Sequence, residues 1–235
     1  MTAGRHPERI AQAFWTTAGG RRKFGKPVDL ERAVTTALPL GICRMPALST
    51  DKVAQLLQRI GAVPWTSYAD RPLRGCLVAD VGVGLIFIDG DDAPNEQRYS
   101  LAHEVAHFLA HYLDPRRRVL DALGQGMSDV LDRVRPPTMA ERLSAALRDV
   151  HLEPFRHAMA REPDGRGYIR TGLMESEADI LALELLVPAE EIRRQPAGTE
   201  ALLAAEYGIP EWARDSLPTP GKQRRAGGVI EIFRK

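Results

Sequence analysis

The chain has 235 residues, 44% hydrophobic and 27% charged, which is enough apolar material for one sizeable core. With 32 Lys and Arg against 31 Asp and Glu, the formal charge is +1, so no global field draws the chain to nucleic acid or to an acidic membrane. No apolar run approaches the roughly 20 residues needed to span a bilayer, and Met1 to Ile10 lacks the apolar stretch of a signal peptide.

Two cysteines, Cys43 and Cys76, are too few for a disulfide framework and form no C-x-x-C pair, so the expectation is a cytoplasmic chain with reduced thiols. In chain order, a short helix is expected from Ile10 to Thr17, followed by a loose connection in which Arg21, Arg22 and Lys23 are solvated. A helix begins near Pro27 and ends near Leu38-Pro39-Leu40-Gly41. Ser49-Thr50-Asp51 offers an N-cap to an amphipathic helix from Lys52 to Ile60 that carries Val53, Leu56 and Leu57.

Arg74 to Asp80 and Val83 to Asp89 read as two strands around a turn at Val81-Gly82. The second is apolar on both faces and belongs inside a sheet. Asp89-Gly90-Asp91-Asp92 is expected to be a capping turn; the spacing of a calcium loop is missing. From Asn95 the apolar period becomes helical, and Asp114-Pro115 should end that helix.

Residues 114–171 read as an inserted helical layer or lid, with helices at Asp129 to Arg135, Met139 to Val150 and Glu153 to Arg161 and a turn at Pro163-Asp164-Gly165. Leu173 to Pro188 is a second strong helix whose first turns carry Glu175, Glu177 and Asp179. Shorter helices follow near Glu190 to Arg194, Thr199 to Tyr207 and Glu211 to Asp215, and Val229 to Phe233 reads as a final strand or tail. The whole reads as one domain: residues 1–50 an N-terminal helical extension, 51–113 and 172–190 the core, 114–171 the insertion, and 191–235 C-terminal helices and tail.

The chemistry concentrates in His103-Glu104-Val105-Ala106-His107. Two residues four apart on a helix lie one turn apart, so the imidazoles of His103 and His107 can converge on one ion. Glu104, about 100° round the helix, is placed to act as a base toward water activated by that ion. The Glu-rich helix downstream supplies a third ligand, expected to be Glu177, with Glu175 about 200° away on the same helix and Asp179 a hydrogen-bonding support for a ligating histidine. His111 is expected to be a packing or cleft residue, and His151 and His157 surface helix residues unless the insertion folds over the cleft and brings either of them into it. By chemistry alone, His151, His157 and Tyr168 are the candidates for stabilising an oxyanion.

Two segments carry a resemblance. Arg98-Tyr99-Ser100-Leu101-Ala102-His103-Glu104-Val105-Ala106-His107, followed by Glu175-Ser176-Glu177-Ala178-Asp179 and Leu185-Leu186-Val187-Pro188, resembles the ImmA/IrrE family of bacterial metallopeptidases, in which an R-F-S-L-A-H-E-L-G-H type helix is paired with an E-x-E-A-x-x-F-A-x-x-L-L-M-P type helix. Val105-Ala106 stands in place of Leu-Gly, and the chain between the helices is much longer than in short members of that family. The resemblance implies a compact, mostly helical α+β domain, zincin-like (gluzincin-like) with a small antiparallel or mixed sheet, holding Zn2+ through His103, His107 and Glu177, with Glu104 as catalytic base. Mn2+ can use similar N/O ligands.

It further implies peptide-bond hydrolysis in a protein substrate, a helix-turn-helix repressor of a phage, mobile-element or stress-response system. The alternative is a metal-stabilised module that binds or senses such a repressor without cutting it. Direct DNA binding through Arg21 to Lys23 or Lys222 to Arg225 is disfavoured by the near-zero net charge.

Overall fold

The computed structural model describes residues 7–62, 69–147, 152, 154–161, 169–194, 196 and 198–217. Helix α1 (Pro7–Thr17) buries Phe14 and Trp15, and α2 (Leu30–Ala37) starts at Asp29, whose carboxylate accepts the Arg32 backbone N–H. Strand β1 (Leu40–Met45) comes next, where only the end of a helix was expected. Helix α3 (Thr50–Arg59) is capped by Ser49 as its sequence requires.

Strands β2 (Leu73–Asp80) and β3 (Val83–Asp89) form the expected antiparallel hairpin. Its turn residues Val81 and Gly82 both have positive φ, 42° and 84°, the condition for a tight hairpin turn that matches strand twist. Helix α4 (Pro94–His107) carries the His-Glu-x-x-His segment. It does not stop at Asp114-Pro115. A π-helical stretch, Phe108–Leu113, leads directly into α5 (Asp114–Leu123), and Pro115 falls in the first turn of that helix, where its missing N–H costs least.

Helices α6 (Ser128–Leu131) and α7 (Met139–Leu147) follow as expected, but the segment read as a helix from Glu153 to Arg161 is a strand, β4 (Phe155–Ala160). Helix α8 (Ile169–Leu186) is the second long helix, α9 (Ala189–Arg194) and α10 (Glu200–Tyr207) follow, and a 3-10 helix, Glu211–Ser216, stands where the last short helix was expected. The Pro163-Asp164-Gly165 turn, His6, His151, Tyr168, Lys222 to Arg225 and Val229 to Phe233 lie outside the described residues.

The sheet has the order β1-β3-β2-β4, mixed because β1 runs parallel to β3 while the other pairs are antiparallel. β3 is internal, as its two apolar faces demand. One face, with Leu77, Ala79, Ile86, Ile88 and Phe155, joins the large core containing Tyr99, Ala102, Val105 and Ala106 of α4 and Ala178, Leu181, Ala182 and Leu185 of α8. The other face, with Cys76, Val78 and Phe87, packs on Val53 and Leu57 of α3. The register of β2 against β4 shifts between Leu73 and Gly75, and this irregularity lets Leu73 join the α3 side while Gly75 faces α4. The result is an α+β, mostly helical domain in which α4 lies between the sheet and α8.

Arg21 departs from the expected solvated loop, and the expected acidic turn gains a partner. Arg21 donates through Nη1 to the carbonyls of Glu184 (3.2 Å) and Leu185 (2.8 Å) and through Nη2 to that of Leu186, so it caps the C-terminal end of α8. The acidic turn after β3 is held from β4: Arg161 donates to Asp89 Oδ2 and Asp92 Oδ1, both at 2.6 Å.

Candidate metal centre

Helix α4 presents His103 and His107 on the side that meets α8, both buried, with Nε2 atoms 3.1 Å apart. Helix α8 supplies the carboxylate beside them, and it is Glu175: its Oε2 is 3.3 Å from His103 Nε2 and 3.6 Å from His107 Nε2. Glu177, expected in this place, lies against His111 instead, 3.2 Å from Oε2 to Nε2. Helical geometry explains the correction. Residues two apart point about 200° apart, whereas residues four apart share a face. Asp179 reaches His103 Nδ1 at 3.0 Å, so the carboxylate on the same face is Glu175, one turn earlier.

With the carboxylates ionised and the imidazoles neutral, the contacts assign the ring protons. Asp179, as a carboxylate, accepts; it takes the Tyr99 O–H (3.1 Å) and the His103 Nδ1–H on the same oxygen, leaving His103 Nε2 as a lone pair. Glu177 accepts the Nε2–H of His111, so a neutral His111 presents Nδ1 as acceptor to His107 Nδ1–H at 3.0 Å. His107 Nε2 is then also a lone pair. With these tautomers both Nε2 atoms face one space beside the Glu175 carboxylate, an arrangement that can hold a cation.

A tetrahedral centre with nitrogens at about 2.0 to 2.1 Å has edges of about 3.3 Å. The three separations of 3.1, 3.3 and 3.6 Å match that, so the residues present fit a metal ion. His103, His107, His157 and Glu175 each offer a donor atom within 4.8 Å of the others, a group among the described residues whose donors could hold a metal ion.

The electrostatics follow from burial and these contacts. Burial pulls His103 down, but the Asp179 and Glu175 carboxylates outweigh it and hold the imidazole above its ordinary value. Burial, with the neighbouring His157, pushes His107 well below its own. Glu175 is opposed by burial yet held well below the usual carboxylate range by its contacts with His103, His107 and His157.

Glu104 has no exposed surface. Its Oε2 accepts from His157 Nδ1 at 2.8 Å, while Oε1 has no hydrogen-bond partner among the described residues. That orphan oxygen lies over Gly75 of β2, where a Cβ would come within 3.1 Å of it. A glycine there lets the carboxylate approach the strand closely.

His157 was read as a surface helix residue. On β4 it points into the site, where burial lowers it but the Glu104 and Glu175 charges prevail and push it up to about 10. Cys76, on the other face of β2, is a free buried thiol raised by burial and by the charge of Glu104.

A buried histidine pair with a carboxylate partner, and a second buried carboxylate one residue along the helix, are the working parts of a metallopeptidase. Residues 68–133 match the family model described as Peptidase_M78, IrrE N-terminal-like domain, so the resemblance to the ImmA/IrrE family is shown over this segment. The match takes in β2, β3, α4 and α5 with His103, Glu104 and His107, and ends before β4 and α8. No match was found among the curated proteins. Among the described residues, no helix is long and apolar enough to cross a membrane.

Proposed function

We propose that the chain is a zinc-dependent peptidase that hydrolyses a peptide bond in one protein partner, a helix-turn-helix repressor of a phage, mobile-element or stress-response system. The observation that carries the peptidase reading is the facing pair of imidazole Nε2 atoms beside Glu175, with Glu104 one residue from His103 on the same helix. The family match supports it; the choice of repressor rests on the resemblance.

His103, His107 and Glu175 would hold the ion, which supplies Lewis-acid polarisation of the scissile carbonyl and activation of water. Glu104 takes the water proton at Oε1 and returns it to the leaving amine, a two-way transfer worth about 10²- to 10⁴-fold. Gly75 keeps the space over Oε1 open. Asp179 and the His111–Glu177 pair fix the tautomers of the two ligating imidazoles.

The experiment is incubation of the zinc-loaded chain with the repressor encoded beside it, alongside Glu104→Gln. Fragments from the wild type and none from E104Q, with equal zinc content, are the expected result. Cleavage by E104Q at the normal rate rejects the mechanism. The complete burial of Glu104 favours a second reading, a metal-stabilised module that binds the repressor without cutting it. Stable co-elution without fragments in the presence of zinc would select it.

A further inference from the structure

Within the metallopeptidase reading, the geometry points to His157 as a positioning residue that fixes the base Glu104 and the ligand carboxylate Glu175 relative to each other. Its two ring nitrogens reach carboxylates on two different helices. Nδ1 is 2.8 Å from Glu104 Oε2 on α4, and Nε2 is 3.0 Å from Glu175 Oε1 on α8. Each carboxylate is thus held by one oxygen, and its other oxygen is left out of that contact. Glu175 keeps Oε2 for the histidine pair, and Glu104 keeps Oε1 over Gly75.

The imidazole is no fourth ligand to the metal. It stacks on His107, ring centroids 3.6 Å apart and planes at 19°, and stacked parallel rings cannot aim in-plane lone pairs at one point. It does, however, separate two carboxylates that would otherwise repel across a site where Glu104 is wholly buried.

The insertion delivers this residue. β4 adds to the free edge of β2 with Leu77 opposite His157, which directs the ring onto the α4 side of the sheet beside Phe155. Arg161 then ties the end of the strand to Asp89 and Asp92. A segment outside the matched family region therefore completes the carboxylate arrangement of a site whose histidines lie inside it.

The test uses the full chain and four proteins: wild type, His157→Ala, His157→Gln and His157→Asn. A Gln amide reaches where Nε2 sits and restores the Glu175 contact; an Asn amide reaches where Nδ1 sits and restores only the Glu104 contact. Zinc Kd is measured by competition with a chromophoric chelator, cobalt binding by its visible spectrum, and integrity by circular dichroism and melting of the metal-free chains.

The expected result is a loss in zinc affinity of about 10- to 100-fold for H157A, largely recovered in H157Q and not in H157N, with the cobalt spectrum of H157Q like that of the wild type. If H157A does not fold, the H157Q and H157N pair carries the comparison. Equal zinc affinity in all the proteins, or equal loss in H157Q and H157N, overturns the positioning role, and a changed cobalt spectrum in H157Q overturns it in favour of a ligand. A wild type that binds neither zinc nor cobalt rejects the metallopeptidase reading itself, and so is distinguishable from failure of the His157 role alone.

Discussion

Glu175 and Asp179 stand one helical turn apart on α8 and address the same imidazole from opposite ends, Asp179 at Nδ1 of His103 (3.0 Å) and Glu175 at Nε2 (3.3 Å). One carboxylate sets the tautomer and the other faces the lone pair that tautomer exposes. The i, i+4 spacing of α8 thereby mirrors the i, i+4 spacing of the two histidines on α4, and the site forms where the two helices cross.

The first prediction separates Glu175 from Glu177. Glu175→Ala should reduce zinc affinity by at least about 100-fold, since it removes a ligand atom and leaves two lone pairs opposed. Glu177→Ala acts only through His111 and should cost about 10-fold. Competition titration checks this; an inverted order would place the ligand on the other face of α8.

Tyr99 and Asp179 give a second prediction. Asp179→Ala frees the His103 ring and should weaken zinc binding by about 10- to 100-fold. Tyr99→Phe removes one of the two donors to Asp179 and should destabilise the metal-free fold by about 1 kcal/mol while zinc affinity changes much less. Melting and metal titration on the same samples would show the two effects diverging.

How much of this was readable in the residues varies with the range of the cause. His103, Glu104 and His107 are legible because their relationship is contained in one turn of helix, and α3 and the β2–β3 hairpin because their caps and turns are local. Glu175 was not read from the sequence, which pointed to Glu177; the contact of Asp179 with His103 is what decides the face. Once Asp179 is set against a ligating histidine, helix phase selects Glu175 and rejects Glu177.

β4 was not legible. Phe155 to Ala160 is a short run whose strand character comes from pairing with the edge of β2, about 80 residues earlier, and a non-local partner leaves no local mark. β1 was hidden for the same reason, its parallel partner β3 lying beyond α3 and β2. The passage through Asp114-Pro115 reflects the π-helical stretch before it, which spacing alone does not announce.

Gly75 tests the space beside the base. Gly75→Ala places a Cβ 3.1 Å from Glu104 Oε1 and 3.2 Å from its Cγ, tight enough that the carboxylate must shift by a few tenths of an ångström. Zinc binding should persist, because none of His103, His107 and Glu175 is touched. Turnover of the proposed protein substrate should fall by about 10- to 100-fold, as expected when a reacting group is displaced. Gly75→Val, being larger, should exceed that loss, and a pair of unchanged rates would show that Oε1 is not the working oxygen.

Asp89 and Arg161 yield the pH prediction. Asp89 is opposed by burial, yet its contacts with the Asp91 N–H and with Arg161 hold its carboxyl below the ordinary value. A carboxylate whose folded pKa lies below its unfolded pKa stabilises the fold fully above the unfolded value, about 3.9, and the contribution is lost as pH falls through the folded value. Asp89→Ala leaves Arg161 with only Asp92 at the end of β4. Breaking a buried pair costs about 3 to 5 kcal/mol, and the residual solvent contact of Arg161 trims that to about 2 kcal/mol at pH 7. For a chain of this size that is roughly 4 to 8 °C in Tm. The gap between wild type and D89A should narrow below about pH 4, and only there. Because the same pair anchors β4, D89A should also weaken zinc binding in the direction of H157A, whereas a uniform Tm difference across pH with unchanged zinc affinity would mean that the acidic turn and the metal centre are independent.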